Sequence, residues 1–271
     1  MLLAGPYDDE FGHELFNFQG YIRRLSLDHE KTVVCTRRSM NFLYEDFADE
    51  FVDLNCDLGS PKYAQYTLVG KDDRKVSRGS GINSEEQKFI KYGGPTEEKY
   101  DVIIHARTKS EGMYPNLNNE VYDSLFNELK EQQTVAFIGT KKEAYCPRGA
   151  TDLRDIPLKR LADILYECGL VVGGSSGPMH FASLCGARHL TWGGYRLRTF
   201  YRYAHYWNPF KTKCYIFENS DGLGYLKRRG KTFGLAKEAF AAEHVTVIDE
   251  KDPNVPSLEG LKNSIINILN G

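Results

Sequence analysis

Residues 169–194, which read GLVVGGSSGPMHFASLCGARHLTWGG, decide the fold of this chain. The apolar residues 170–172 predict a buried strand, and residues 173–177 predict a short, flexible turn. A helix is expected to follow, because Pro178 suits the first helical turn, where its missing N–H costs no hydrogen bond. The backbone N–H groups and the dipole at the start of that helix favour a bound anion. The stretch therefore predicts a phosphate site between a strand and a helix.

Length and composition indicate an ordinary globular protein. The chain has 271 residues, of which 41% are hydrophobic and 27% are charged, enough for one large domain or two small ones. Apolar runs are much shorter than a membrane span, and the first ten residues do not resemble a signal peptide. The six cysteines are widely spaced, which predicts reduced thiols and a cytoplasmic protein with no membrane span.

The charge is distributed unevenly although the net charge is only −2. Residues 186–217 contain six lysines and arginines and no acidic residue, and a second basic run, KRRGK, occupies residues 227–231. Part of the surface is therefore expected to be positive. Such a surface favours an anionic ligand, either a nucleotide or a larger polyanion.

The order of apolar patterns predicts a doubly wound α/β fold. From residue 100 onwards, strands alternate with helices at a spacing typical of right-handed crossovers and a parallel sheet. A shorter α/β region precedes them, and residues 57–98 predict long loops with at most one or two small elements. We predict domains at residues 1–98 and 99–245. A closing strand and helix at residues 246–271 could pack back on the first domain.

Charged side chains follow the first predicted strand, in the segment YDDEFGHE of residues 7–14. Helical spacing leaves Glu14 on the open side of the helix that begins here. A general base that deprotonates an acceptor hydroxyl could be Glu10, His13 or Glu14. Asp9 is a candidate for binding the acceptor. An acidic loop that only caps the helix fits the same pattern equally well.

A second group of candidates follows strands of the later region, whose carboxyl ends meet at one sheet edge. Arg107 could hold a phosphate through two hydrogen bonds, with Lys109 as an additional charge, although an ordinary surface arginine is the alternative. His180 could touch a phosphate or be a buried histidine bonded to the backbone. The remaining candidates for phosphate, ribose or base contacts are Gly139, Thr140, Ser175, Ser176, Gly177, Pro178 and Met179.

Arginines and aromatic residues alternate in GYRLRTFYRYAHYW, residues 194–207. Aromatic faces beside guanidinium groups suit stacking on sugars or on single-stranded nucleic acid, with Arg196 and Arg198 as candidates for acceptor binding. The alternative is an amphipathic helix whose aromatic residues lie in the core. We favour the core for most of the aromatic side chains and expect at least one arginine to face the ligand.

Several common motifs are absent from the sequence. It contains no GxGxxG fingerprint, Walker loop or HExxH helix. It also has no Asp-x-Asp pair of the kind that holds a metal under a pyrophosphate. We therefore predict chemistry without a metal or cofactor, in which N–H groups and basic side chains stabilise the developing charge.

Residues 171–194 resemble the nucleotide-sugar motif of glycosyltransferase family 9, the heptosyltransferase-like enzymes of the GT-B fold. That motif is a strand, then Gly-Asn-Asp-Ser-Gly-Pro-Met-His, then Ala at helical spacing, then Gly and a second strand. The preceding strand and helix are also similar, so the resemblance covers about residues 100–195. It implies a GT-B-like α/β fold of two facing Rossmann-like domains with parallel sheets, the N-terminal, acceptor-side domain being reduced.

The resemblance also implies an activity. Enzymes of this kind look like inverting, metal-independent glycosyltransferases, so the co-substrate would be a nucleoside-diphosphate sugar donating a hexosyl, pentosyl or heptosyl group. The acceptor would be a hydroxyl of a glycan or of a hydroxylated nucleic-acid base. Donor binding carries over to residues 176–180 and to Arg107 or Lys109, in the nucleotide-sugar-binding domain at residues 99–245.

The sequence departs from the family pattern at two positions. Ser175 stands where the family has Asp, and His13 stands where the family places its N-terminal Asp. The segment HAR at residues 105–107 is also similar to the phosphate-binding His-x-Arg of fucosyltransferase-type GT-B enzymes, so the donor sugar stays open. A non-catalytic nucleotide- or nucleic-acid-binding protein on a degenerate GT-B scaffold is the alternative function.

Overall fold

The computed structural model describes residues 1–73, 86–108, 116–193, 198–218, 242–250, 252 and 255–271. The chain divides into two compact units, Met1–Ile90 and Lys91–Gly271. Lys109 and Arg196 lie outside the described residues, as does the basic run at 227–231, and the side chain of Arg198 is not described.

The first unit is built on a four-stranded parallel sheet with the strand order β3-β2-β1-β4. The strand β1 is central, and Leu2, Leu3 and Ala4 are buried because both faces of the strand are covered. A helical run, α1, connects β1 to β2 in one strand–helix–strand unit. The elements are β1 (Leu2–Tyr7), α1 (Phe11–His13, Glu14–Phe18 and Gln19–Ser26), β2 (Thr32–Thr36), a 3-10 helix (Arg38–Leu43), β3 (Glu50–Val52), a 3-10 helix (Pro61–Tyr63) and β4 (Thr67–Val69).

The middle segment of α1, Glu14–Phe18, is a π-helix. A π-helix has more residues per turn than an α-helix, so it changes which side chains share a face. Leu15 and Phe18 are buried. The prediction that Glu14 lies on the open side is wrong, since its exposed fraction is 0%.

The second unit contains a larger sheet with the strand order β12-β11-β10-β9-β5-β6-β8, in which all neighbours are parallel. The short strand β7 pairs antiparallel with the end of β5. The elements are β5 (Val102–Arg107), α2 (Asn119–Leu129), β6 (Val135–Phe137), β7 (Ala144–Tyr145), β8 (Thr151–Asp152), α3 (Leu158–Glu167), β9 (Leu170–Gly174), α4 (Gly177–Cys185), β10 (His189–Trp192), α5 (Arg198–His205), β11 (Cys214–Glu218), β12 (Val245–Asp249) and α6 (Leu258–Asn270).

Both units therefore have the parallel strands and crossover helices of the predicted α/β class. The strand–turn–helix of the opening stretch is confirmed as β9 and α4, with β9 extending to Gly174. The strand β11 was not predicted. All six cysteines are free thiols, in agreement with the sequence.

The last helix, α6, packs in the second unit. Leu261, Ile265 and Ile268 belong to the same buried cluster as Val102 of β5 and Leu170 of β9. Burial of this apolar face removes area from water and stabilises the second sheet. Packing of this helix on the first domain was the alternative considered from the sequence.

Candidate functional site

The carboxyl ends of β5 and β9 form the topological switch point of the second sheet. After β5 the chain continues to β6 and β8 on one side, whereas β9 leads to β10, β11 and β12 on the other. Ligands of open α/β sheets bind where the connections diverge in this way. His105 of β5 is paired in register with Gly173 of β9, so Arg107 and the start of α4 are close to the same edge.

The backbone at position 173 is closely packed. A Cβ atom there would lie 3.0 Å from Sδ of Met179 and 3.1 Å from Cβ of His105. The helix α4 begins at Gly177 with Pro178 in its first turn and ends at Gly186, which adopts the left-handed conformation with φ +79°. The start of α4 is thereby held against the ends of β5 and β9.

His105 connects these two elements through a hydrogen bond. Its Nδ1 lies 2.9 Å from Oγ of Ser176, the residue that precedes α4. Burial, assisted by the charge of Arg107, lowers the pKa of His105 to about 4, so the imidazole is neutral at physiological pH. No separate role was predicted for His105. The one sequence feature that pointed to it was the segment HAR at residues 105–107.

Arg107 lies at the end of β5, where Nη1 donates a hydrogen bond of 2.9 Å to Oδ1 of Asn116. The contact orients the half-buried guanidinium group. A cavity of about 330 Å³ lies beside it, lined by Thr108 and residues 116–120. Polar groups predominate in this lining, and Asn116 was not predicted from the sequence.

Gly139 belongs to the same edge, whereas Thr140 shapes the following turn. Gly139 has φ +122°, and a Cβ atom there would lie 3.0 Å from Cδ2 of His105. The carbonyl oxygen of Thr140 accepts hydrogen bonds from the N–H groups of Glu143 and Ala144. Gly139 therefore allows the imidazole of His105 to sit against the backbone.

The residues in and before α4 that were predicted to bind the phosphate differ in their solvent exposure and contacts. Ser175 is buried, and its Oγ has no hydrogen-bond partner among the residues that the structure describes. Met179 is fully buried, backbone and side chain alike. The ring of His180 packs on Trp207, with 4.1 Å between ring centroids, and is only 8% exposed.

Two aromatic residues of α5 lie in the core. Phe200 and Tyr203 are buried in a cluster with Cys214, whereas the side chain of Tyr201 is not described. The guanidinium group of Arg202 lies over the ring of Trp207 at 4.7 Å, an arrangement typical of a cation–π contact.

In the first unit, the loop after β1 presents three exposed acidic side chains. These are Asp8, Asp9 and Glu10, and His13 on the first turn of α1 is also exposed. Asp8 forms an ion pair with Lys71, and Oδ1 of Asp9 accepts a 2.7 Å hydrogen bond from the N–H of Glu10. Glu10 and His13 are thus accessible to a substrate.

Glu14 is different from its neighbours, because its side chain has no exposed surface. Its Oε1 accepts hydrogen bonds from Thr36 at 2.7 Å and Tyr44 at 2.9 Å, and its Oε2 accepts one from Arg37 at 2.9 Å. Burial raises the pKa of Glu14, and the three hydrogen bonds oppose that shift. No sequence signal pointed to Thr36, Arg37 or Tyr44.

Two buried histidines make the stability of the protein depend on pH. Burial lowers the pKa values of both His105 and His189 to about 4, whereas a histidine in the unfolded chain titrates near 6.5. Between those values the unfolded state binds more protons, so the free energy of unfolding falls as the pH falls from 7 to 5. Each histidine is expected to account for about 2 kcal/mol of that loss.

The variant His189→Gln tests this pH dependence at a residue that does not belong to the candidate site. Urea unfolding at pH 7 and pH 5 should show a smaller loss of stability for the variant than for the original protein. Above pH 7 the difference between the two proteins should be constant. An identical pH dependence in both would contradict a neutral, buried His189.

The described part of the chain contains neither a metal-binding cluster nor a membrane-spanning helix. No cluster there of three or more His, Cys, Asp or Glu side chains is arranged to hold a metal ion. Likewise, none of its helices has the length and hydrophobicity needed to cross a membrane.

Comparisons with known proteins identify relatives of this fold. Residues 18–214 match the model of glycosyltransferase family 9 (heptosyltransferase). No curated protein matches the sequence significantly. A family 9 glycosyltransferase structure from Veillonella parvula DSM 2008 has 12% identity and a TM-score of 0.57, with coverage of 99% of this chain and 97% of that one.

Two further solved structures are similar. ADP-heptose lps heptosyltransferase II of E. coli has 9% identity and a TM-score of 0.58, over 100% of this chain and 99% of that one. The dodecameric iron-containing heptosyltransferase TibC of enterotoxigenic E. coli H10407, in complex with ADP-D-beta-D-heptose, has 14% identity and a TM-score of 0.58, over 99% and 75% of the two chains. These likenesses confirm the predicted GT-B-like α/β fold.

Proposed function

The chain belongs to glycosyltransferase family 9, and from this premise we propose an inverting, metal-independent transfer of a sugar from a nucleoside-diphosphate sugar to an acceptor hydroxyl. The single observation that supports this proposal most strongly is the switch point of the second sheet. There a helix start, a guanidinium group and a neutral histidine converge, as His105 bonds to Ser176 and Arg107 ends the same strand.

The donor diphosphate would bind at the start of α4. The N–H groups of Ser176 and Gly177 and the helix dipole would supply positive potential without a metal ion. Pro178 has no N–H, and the N–H of His180 already donates to the carbonyl oxygen of Ser176. Arg107, oriented by Asn116, would add a charged hydrogen bond to a phosphate oxygen. We assign Gly139 and Thr140 to the nucleoside side of this site, and Lys109, as an additional charge, to the phosphates.

An ADP-sugar is the donor to test first. The similar structure of TibC is a complex with ADP-D-beta-D-heptose, and a second similar structure is an ADP-heptose heptosyltransferase. Ser175, where the family has Asp, would change a contact to the sugar or ribose. The transferred group is therefore left as hexosyl, pentosyl or heptosyl.

The base would come from the loop after β1. In the proposed step, Glu10 or His13 takes the proton of the acceptor hydroxyl, and the acceptor oxygen forms a bond to the anomeric carbon. The bond between that carbon and the diphosphate oxygen breaks on the opposite face, and the nucleoside diphosphate leaves with the electron pair. Exposure supports Glu10 and His13 for this role, whereas Glu14 is buried and both its carboxylate oxygens already accept hydrogen bonds.

We propose a glycan as the acceptor, with Asp9, Arg196 and Arg198 as candidate contacts. Burial of Phe200 and Tyr203 leaves fewer aromatic faces for stacking on a nucleic-acid base, which supports the glycan. A gel-shift assay at two salt concentrations tests the nucleic-acid alternative, because phosphate contacts make affinity fall steeply with salt. The six free thiols support a cytoplasmic location.

A thermal-shift screen against ADP-, UDP-, GDP- and CMP-sugars tests the donor. One class of nucleotide sugar is expected to raise the melting temperature, because a ligand that binds only the folded state stabilises it. Binding of that sugar should be followed by its turnover in the presence of an acceptor. Binding without transfer or hydrolysis would favour the alternative of a non-catalytic nucleotide-binding protein.

Variants of the acidic loop test the base. Glu10→Gln or His13→Gln is expected to lower kcat by about 100-fold or more, while donor affinity changes little. Glu30→Gln is a matched control, since Glu30 is also exposed but precedes β2, at the other end of the strands. Full activity in both loop variants would exclude these residues as the base.

A further inference from the structure

The buried carboxylate of Glu14 is linked through hydrogen bonds to the loop that precedes α1. A carboxylate without solvent contact is stable only when its charge is compensated and its oxygens are hydrogen-bonded. Thr36 and Tyr44 donate to one oxygen and Arg37 donates to the other. Glu14 is thus fixed from two sides of the first unit, by β2 and by the 3-10 region after it.

Arg37 links this carboxylate to the loop. Its Nη2 donates to Oε2 of Glu14 at 2.9 Å and also to the backbone carbonyl oxygen of Asp9 at 2.9 Å. One guanidinium nitrogen carries two hydrogens, so both bonds can form together. Arg37 follows β2 directly, and therefore its backbone is anchored to the sheet.

The other described contacts of this loop are weaker restraints. Asp8 pairs with Lys71, but both side chains are largely exposed, with exposed fractions of 54% and 40%. Exposed ion pairs contribute little to stability. The bond from the N–H of Glu10 to Asp9 is local and does not attach the loop to the sheet. The N–H of Glu14 also donates to the carbonyl oxygen of Glu10 at 3.0 Å, which ties the end of the loop to α1. Arg37 adds a side-chain restraint that connects the middle of the loop to the buried carboxylate.

We propose that Glu14 and Arg37 are positioning residues, which hold the backbone of Asp9 so that Glu10 and His13 meet the acceptor hydroxyl in one geometry. The inference rests on the proposed function for the role of Glu10 and His13. It replaces the expectation that Glu14 is itself the base. Misplacing a reacting group by about 1 Å costs up to about 100-fold in rate, so such a restraint has a measurable effect.

The first test is kinetic. Arg37→Ala is expected to lower kcat by about 10-fold to 100-fold, with the KM for the donor changed by less than about 2-fold. Arg37→Lys should recover part of the lost kcat, because it keeps the positive charge beside Glu14. The double variant Glu14→Gln, Arg37→Ala should be little worse than Arg37→Ala alone, since both changes break one linkage.

Arg24→Ala is the matched control. Arg24 lies in the same unit, its side chain is 36% exposed against 35% for Arg37, and it pairs with Asp28. The control should keep the original kcat. A donor KM that rises at least as much as kcat falls in Arg37→Ala would overturn the proposal, because it would indicate direct contact with the donor.

The second test does not depend on activity. Amide hydrogen exchange in residues 8–13 should be faster in Arg37→Ala than in the original protein and unchanged in Arg24→Ala. If the original protein shows no transfer, this measurement still decides whether Arg37 holds the loop. Unchanged exchange in Arg37→Ala overturns the proposal. Should Arg37→Ala fail to fold, Arg37→Lys and Arg37→Gln are measured in the same way.

Discussion

Replacing Arg107 with Ala is expected to lower kcat/KM for the nucleotide-sugar donor by about 100-fold or more. The guanidinium group would contact the diphosphate in the ground state and the charge that develops on it as the sugar leaves. One such charged donor is worth about 3 kcal/mol at a site that excludes water. The fixed orientation provided by Asn116, at 2.9 Å, means that little ordering is needed on binding.

Two further variants make this measurement specific. Arg107→Lys keeps the charge but not the planar fork, and should recover only part of the activity. Arg160→Ala is the matched control, because Arg160 belongs to the same unit but pairs with Glu98 at the surface, with its side chain 49% exposed. Unchanged nucleotide affinity of Arg107→Ala in titration calorimetry would show that the diphosphate binds elsewhere.

Replacing Gly5 with Ala is expected to destabilise the first unit by about 3 kcal/mol or more. Gly5 has φ +115°, which L side chains rarely adopt, and a Cβ atom there would lie 2.2 Å from the carbonyl oxygen of Cys35. That oxygen belongs to the backbone of β2, so it can move only if the pairing between β1 and β2 is disturbed. The free-energy costs of backbone strain and of steric overlap are therefore expected to add to each other.

Urea unfolding measures this loss, with Gly70→Ala as the control. A Cβ atom at Gly70 meets no atom within 4 Å, and its φ is outside the left-handed region. The control is expected to change the free energy of unfolding by less than about 0.5 kcal/mol. Equal unfolding midpoints for the two variants would show that β1 can move away from β2 at no cost.

Local signals in the sequence predicted most of the second unit. The apolar residues 170–172 and Pro178 were enough to predict β9 and α4, and the alternation of strands with helices was predicted from residue 100 onwards. These signals succeed because helix ends and buried strands depend on residues close together in the chain. Short edge strands such as β7 and β8 carry too few residues for a pattern.

The faces of α1 could not be predicted in the same way. A period of 3.6 residues put Glu14 on the open side, whereas the π-helical segment Glu14–Phe18 brings it into the interior. A π-turn is stabilised by what surrounds it more than by its own residues. For Glu14 those surroundings are Thr36, Arg37 and Tyr44, which are more than 20 residues away along the chain.

The sequence by itself determined the α/β class, the strand–turn–helix at residues 169–194 and the candidate residues at the ends of strands. These follow from composition, periodicity and local motifs, which need no knowledge of distant neighbours. The tertiary structure was needed to show that His105 bonds to Ser176, that Gly173 and Gly139 pack against the same histidine, and that Glu14 is buried. The physical reason is that hydrogen bonding and desolvation at a site depend on partners brought together by sheet order and register.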